Sequence, residues 1–254
     1  MTLDLEEEVA TIAVSLDGTC VLFCEEGWRN AMVGTISLYN ILGERLHTVY
    51  VAAPPEYGKA SFLARMEREI QVYKKRYGSW PTWIGIADGA RDYWPWLSQF
   101  VEKQVLDFYH AASYSEEAAQ GLCPRLKERQ EWFEQSRHRL KEQEGGASDL
   151  LEEMKQALEN SRIKGSRRDS LQSAVTYFEH HLDRMNYAEY LVFALPIGSG
   201  VTEAACKTVV KERMRGSGMK WKYNGASTVL NLRSLILTGG RWEQFWSKIV
   251  RFGI

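Results

Sequence analysis

The chain has 254 residues, 44% hydrophobic and 26% charged, with a net charge of −1. That length supports a full core without disulfide or metal staples, and the composition excludes a disordered, collagen-like or low-complexity chain. The longest uncharged stretch, 30–43, has 14 residues and includes Gly, Ser, Thr and Asn, so it is too short and too polar to span a bilayer.

The opening MTLDLEEEVA is acidic, so neither a secretory signal nor a transit peptide is expected. Cys20, Cys24, Cys123 and Cys206 are then expected to be reduced thiols in a cytoplasmic protein. Cys20 and Cys24 lack a second Cys/His pair at finger spacing, so a zinc site is not expected.

Along the chain, TIAVSLDG (11–18) is apolar and β-rich and ends at Asp-Gly, which predicts a first strand. VGTISLYN (33–40) and RLHTVYVAA (45–53) predict two more, with Asn40 and Gly43 supplying the turn between them. Over 57–77 the period changes: Phe62, Met66, Ile70 and Tyr73 or Tyr77 fall at helical spacing. TWIGIADG (82–89) is a continuous apolar run, the pattern of a strand covered on both faces. A helix near 91–102 and a strand in KQVLDFYH (103–110) complete a β-β-β-α-β-α-β order. That order predicts an α/β fold with a mixed sheet and flanking helices.

Residues 115–190 contain 27 charged side chains in 76 positions, with almost no β-rich run. Helices are expected at 124–143, 148–160 and 167–184, the last with an apolar stripe of Leu171, Val175, Phe178 and Leu182. Gly145-Gly146 and Gly165 mark the breaks. The expected division is a core of 1–112 and 191–254 interrupted by a helical insertion at 113–190. After LVFALPIGSG (191–200), a helix is expected from Val201 to Arg215, then a Gly216-Ser217-Gly218 break and a final helical segment.

Charge is unevenly spread. From residue 205 onward ten Lys/Arg face only Glu212 and Glu243, giving +8, so the remainder carries −9. Such asymmetry suggests that the basic end meets a polyanion.

Three carboxylates stand out: Asp17 in SLDGT, Asp88 in GIADGA and Glu203 in the first turn of the 201–215 helix. If strands one and four are neighbours, the two aspartates emerge at one sheet edge and a helix across it adds the third. Hard oxygen ligands in such a set suit Mg²⁺ or Mn²⁺. Taken singly, Asp17 and Asp88 fit hairpin turns as well, and Glu203 fits a helix N-terminal glutamate facing the dipole. Paired carboxylates also fit a glycoside hydrolase.

The strings SLDGT, IADGARDYW, LDFYHA and PIGSGVTEAACKTVVKERMRGSGMKW, in this order, resemble the catalytic core of bacterial insertion-sequence transposases of the DDE type, in the Kra group akin to Mutator-like elements. The resemblance covers nearly the whole chain. It implies a ribonuclease H-like fold with a helical insertion before the glutamate, and Asp17, Asp88 and Glu203 as the catalytic triad holding two Mg²⁺ or Mn²⁺ ions. It implies Asp107 and His110 as supporting residues of an Asp-x-x-His signature; Asp92 does not match the motif. The implied activity is endonucleolytic cleavage at element ends and strand transfer, in DNA transposition and recombination. Its partners would be terminal-repeat and target DNA bound by a homodimer, near the bacterial nucleoid and away from membranes. Relatives carry an upstream region that recognises terminal repeats, and a first aspartate at position 17 is expected to leave no room for it. A DNA-binding remnant without catalysis is the alternative.

Lys207, Lys211, Arg213, Arg215, Lys220, Trp221 and Lys222 are the candidate DNA contacts. Lys207, Lys211 and Arg215 recur at four-residue spacing on one helical face, and Trp221 is placed to stack on an unpaired base; a solvated face with a core tryptophan is the plainer reading. Trp80, Trp83, Trp94, Trp96, Trp242 and Trp246 are expected to pack, and His138, His180 and His181 to lie on the surface.

Overall fold

The computed structural model describes residues 7–56 and 59–253. β1 (Thr11–Phe23) does not stop at the Asp17-Gly18 pair; it runs on to Phe23. Its antiparallel partner β2 (Gly27–Tyr39) pairs along the whole length, with Asp17 opposite Val33 and Gly18 opposite Met32. The hairpin turn falls instead before Gly27, whose φ of 71° suits a residue without a Cβ. β3 (Arg45–Ala53) has the expected bounds. Before it, Asn40 Oδ1 accepts from Leu42 N and Glu44 N at 3.0 and 2.9 Å, an Asx-type turn.

β4 (Thr82–Ala87) and β5 (Lys103–Leu106) complete a mixed, open five-stranded sheet of order β3-β2-β1-β4-β5, in which β4 runs parallel to β1. The α/β class and mixed sheet are therefore as the element order implied. α1 (Ala60–Tyr77) buries Phe62, Met66, Ile70 and Tyr73, the predicted stripe. Positions 57 and 58 of that expected helix lie outside the described residues. The helix expected at 91–102 is a single turn, α2 (Trp94–Leu97).

The chain forms two compact units: 1–87, 92–103 and 199–254 in the first, 88–91 and 104–198 in the second. The second starts earlier and ends later than the expected insertion, 113–190. The strand expected at 103–110 stops at Leu106 because Asp107 caps a helix, α3 (Phe108–Leu122). The segments flanking the insertion are fastened into this unit. Tyr187 Oη donates to Leu106 O at 2.9 Å, Phe108 N donates to Ile197 O at 2.9 Å, and the Tyr187 and Phe108 rings meet edge to face.

α4 (Leu126–Glu142), α5 (Gly146–Leu158), α6 (Ser166–His181) and α7 (Tyr187–Val192) follow. Among the described residues of 113–190 there is no strand. Leu171, Val175 and Phe178 are buried, as are Leu140, Leu150 and Met154. The fourth stripe position, Leu182, starts a 3₁₀ turn and is half-buried; His181 is buried in its place. The Arg167 guanidinium donates to Gly121 O and Leu122 O, satisfying carbonyls that the end of α3 leaves open. Among the described residues no helix is long and apolar enough to cross a membrane.

α3 and α6 approach closely at Gly121, where an added Cβ would lie 2.6 Å from Arg167 O and 2.7 Å from Leu171 Cβ. Both obstacles are backbone or near it and cannot swing away. Gly121→Ala is therefore expected to lower stability by about 1–3 kcal/mol, read as a fall in the urea midpoint at unchanged slope; an unshifted midpoint would mean that the two helices have room to part.

Candidate functional site

In the first unit, Asp17 lies inside β1, not at its end. One carboxylate oxygen accepts from Gly18 N at 2.6 Å and the other from Cys206 Sγ at 3.3 Å. Cys206 directly follows α8 (Gly200–Ala205), which carries Glu203 in its first turn. The contact therefore ties the glutamate's helix to the aspartate's strand. A second tie is the 2.7 Å hydrogen bond between the buried hydroxyls of Thr202 and Thr35. Below it, Ala205, Cys206, Val209 and Val210 pack against Val21, Ala31 and Val33. Glu203 is exposed, with Oε1 accepting from Ser199 Oγ at 3.2 Å.

The Cys206 thiol is pushed well up, first by burial, then by the Asp17 charge and hydrogen bond, with Glu203 adding to it. Cys206 thus stays a neutral donor to Asp17. A thiol held protonated is no soft ligand, so the oxygen donors here suit a hard divalent cation better than zinc.

The helix does not end at Ala205. It continues through a π turn (Cys206–Lys211) into α9 (Glu212–Met214), close to the expected end at Arg215. A π turn breaks the i→i+4 ladder and leaves carbonyls to be satisfied from elsewhere. Arg233, on α10 (Tyr223–Leu237), donates to Val209 O at 2.8 Å and also to Thr208 O.

The remaining acidic candidates, except Asp92, belong to the second unit. The β1–β4 ladder ends at Ser15↔Ile86, and β4 stops at Ala87, one residue before Asp88. Asp88 Oδ1 accepts from Ala90 N at 3.0 Å, and its carbonyl accepts from Tyr177 Oη at 2.9 Å. Gly89, at φ 100°, passes so close to Tyr177 that a Cβ would lie 2.8 Å from its hydroxyl. Tyr177 stacks on Tyr114 with centroids 3.6 Å apart. Burial, then Tyr114, Asp88 and Asp107, drive its hydroxyl upward, so it remains a donor to the Asp88 loop. No sequence pattern pointed to Tyr177, because it sits beside the apolar stripe of α6, not on it.

Asp107 is fully buried and caps α3 by accepting from His110 N at 2.9 Å. His110 shares with Asp88, Arg91, Tyr114, Tyr177 and His180 an open groove of about 730 Å³. His138 and His180 are exposed, but His181, expected on the surface, is only 5% exposed. Asp92 belongs to the first unit, where it pairs with Lys59 at 3.1 Å.

Lys207, Lys211, Arg213, Arg215, Lys220 and Lys222 are all exposed. Trp221 is half-buried: its Nε1 donates to Met214 O at 3.0 Å, its backbone bonds to Leu22 and Cys24, and the Arg213 guanidinium lies 5.5 Å from its ring centroid. An exposed aromatic that the sequence did not single out, Trp28, lies 5.6 Å from Arg215. Among the tryptophans expected to pack, Trp83 and Trp94 do, whereas Trp80 and Trp246 are exposed because they sit on a turn and a terminal helix. Neither a scan against protein-family models nor a search of curated proteins finds a match.

His181 makes the second unit acid-sensitive. Burial, then Arg184 and His180, lower its pKa from 6.5 to about 4. The unfolded chain therefore binds the extra proton first, and stability falls as pH drops from about 6.5 towards 4. His181→Gln should flatten that window by up to about 3 kcal/mol, measured as urea stability against pH; an unchanged slope would assign the acid sensitivity to other groups.

Proposed function

We propose that this chain is the ribonuclease H-like catalytic core of a DDE-type transposase, cutting phosphodiesters at element ends and joining them to target DNA. The observation that supports it most is the docking of the Glu203 helix on the Asp17 strand through Cys206 and Thr202, beside a parallel β4 that leads into Asp88. Strand order β3-β2-β1-β4-β5, with β2 antiparallel and β4 parallel to β1, is compatible with the fold that the resemblance implies.

In this reading Asp17, Asp88 and Glu203 hold two Mg²⁺ or Mn²⁺ ions. When bound, such ions would activate the attacking oxygen and stabilise the leaving one. The chain's own part is to fix the ligands. Cys206 stays protonated and donates to Asp17. Ser199 orients Glu203, and Tyr177 anchors the backbone of the Asp88 loop. Asp107 and His110 act by fixing the start of α3. Exposed Lys207, Lys211, Arg213, Arg215, Lys220 and Lys222 would hold phosphates of either DNA, and Trp221 would support that track.

Incubating the purified chain with labelled element-end duplexes should give strand cleavage that requires Mg²⁺ or Mn²⁺. Asp17→Asn should reduce it at least 100-fold, about 2.7 kcal/mol of barrier, while DNA binding survives. Binding without any cleavage by the native chain would favour the alternative, a DNA-binding remnant.

Lys207, Lys211 and Arg215 are exposed, so replacing all three with Ala should leave the fold intact. The log–log slope of DNA affinity against salt should fall by about 0.9 for each phosphate contact removed, and equally for all sequences, since phosphates do not encode bases. An unchanged slope would place the DNA on another surface.

A further inference from the structure

The first unit contains a cleft with no part in the reading above. It has a volume of about 540 Å³ and opens between β3, α1, α10 and α11 (Arg241–Phe252). Its α1 wall presents Arg65, Arg68 and Glu69, and its α11 wall presents Arg241 and Phe245. Three guanidinium groups against one carboxylate leave the cleft at +2.

That excess is not cancelled locally. Arg241 takes up Glu69 with both nitrogens of its fork. Arg65 donates to Ala52 O at 3.0 Å, which aims it from α1 onto the sheet's edge strand. Burial and the like charge of Arg68 both lower its pKa. Arg68 itself makes no ion pair among the described residues. The same positive field reaches His47, held low by burial and then by Arg241 and Arg76.

The rest of the lining is a different kind of surface. Val51, Leu232, Leu235 and the Tyr50 and Phe245 rings are apolar, with Asn231 and Ser234 as polar points among them. Ser234 is buried, and its hydroxyl meets no partner among the described residues. Phe245 remains 39% exposed while its ring meets those of Trp242 and Trp246. A bare ion would engage the arginines and leave this wall unused. A phosphate ester with a planar apolar body would use both, the guanidinium forks matching phosphate oxygens and the aromatic wall matching a base. The volume also lies in the ordinary range for a small-molecule pocket.

We infer that this cleft binds a nucleoside monophosphate, either free or as the 5′-phosphorylated end of a strand, with Arg68 and Arg65 on the phosphate and Phe245 against the base. The site is independent of Asp17, Asp88 and Glu203.

Calorimetric titration of the full chain with AMP, adenosine and inorganic phosphate tests it. AMP should bind at least tenfold more tightly than either fragment. Arg68→Ala should weaken AMP at least tenfold with the circular dichroism unchanged. Phe245→Ala should weaken AMP but leave phosphate affinity as it was, which separates a lost base contact from a lost fold. Asp17→Asn should leave AMP binding untouched, so the failure of the catalytic reading would not carry this one with it. A 5′-phosphorylated oligonucleotide that displaces AMP, where the unphosphorylated one does not, would make the strand end the source; no displacement by either would make it the free nucleotide. The inference is overturned if AMP shows no saturable binding at millimolar concentration, if adenosine binds as well as AMP, if Arg68→Ala changes nothing, or if an acidic peptide binds in preference to AMP.

Discussion

Everything in the first unit rests on the two-sided pairing of β1. One edge of it is hydrogen-bonded to β2 along its whole length, and the other edge to β4 from Thr11 to Ser15. A strand held on both edges cannot slip by a residue without breaking the hydrogen bonds of two ladders at once. Asp17 sits just past the doubly paired stretch, still locked to β2 opposite Val33. The carboxylate is thereby fixed in direction by main-chain geometry, and the Glu203 helix is referenced to it through the Thr35–Thr202 and Cys206–Asp17 contacts. Rigid elements of this kind suit chemistry that tolerates little displacement.

The legible parts of the fold were those with one dominant local signal. β3 follows the turn residues Asn40 and Gly43, and its limits are as expected. The stripe of α1 and three positions of the α6 stripe were equally plain, since burial follows a helical period. β1 was misjudged because Asp-Gly is turn chemistry locally, whereas β2 supplies a full-length ladder that overrides it. β5 was overextended because LDFYH is apolar, and nothing in its periodicity reveals that Asp107 turns into a helix cap.

For the candidate site, sequence could nominate carboxylates but not their attachments. Cys206 reads only as one of four reduced thiols, and its bond to Asp17 spans 189 residues. Tyr177 and Asp88 are 89 residues apart, so their hydrogen bond is equally invisible to local pattern. The arginine cleft is a stronger case. Arg65, Arg68 and Arg241 come from two distant helices, and only the packing of α1 with the C-terminal helices sets their charges side by side.

The π turn at Cys206–Lys211 gives the Glu203 helix two independent settings of its angle. One residue of an α-helix turns about 100°, so the extra residue offsets everything after it from everything before it. Thr202 and Cys206 keep their bonds to β2 and β1, while Met214 can still enter the core and Arg213 can still reach Trp221. Forcing the same residues into regular α geometry would rotate that second half by about 100° and turn Met214 out of the core. The irregularity lets a single helix serve as strut for a carboxylate at one end and as mount for a basic surface at the other.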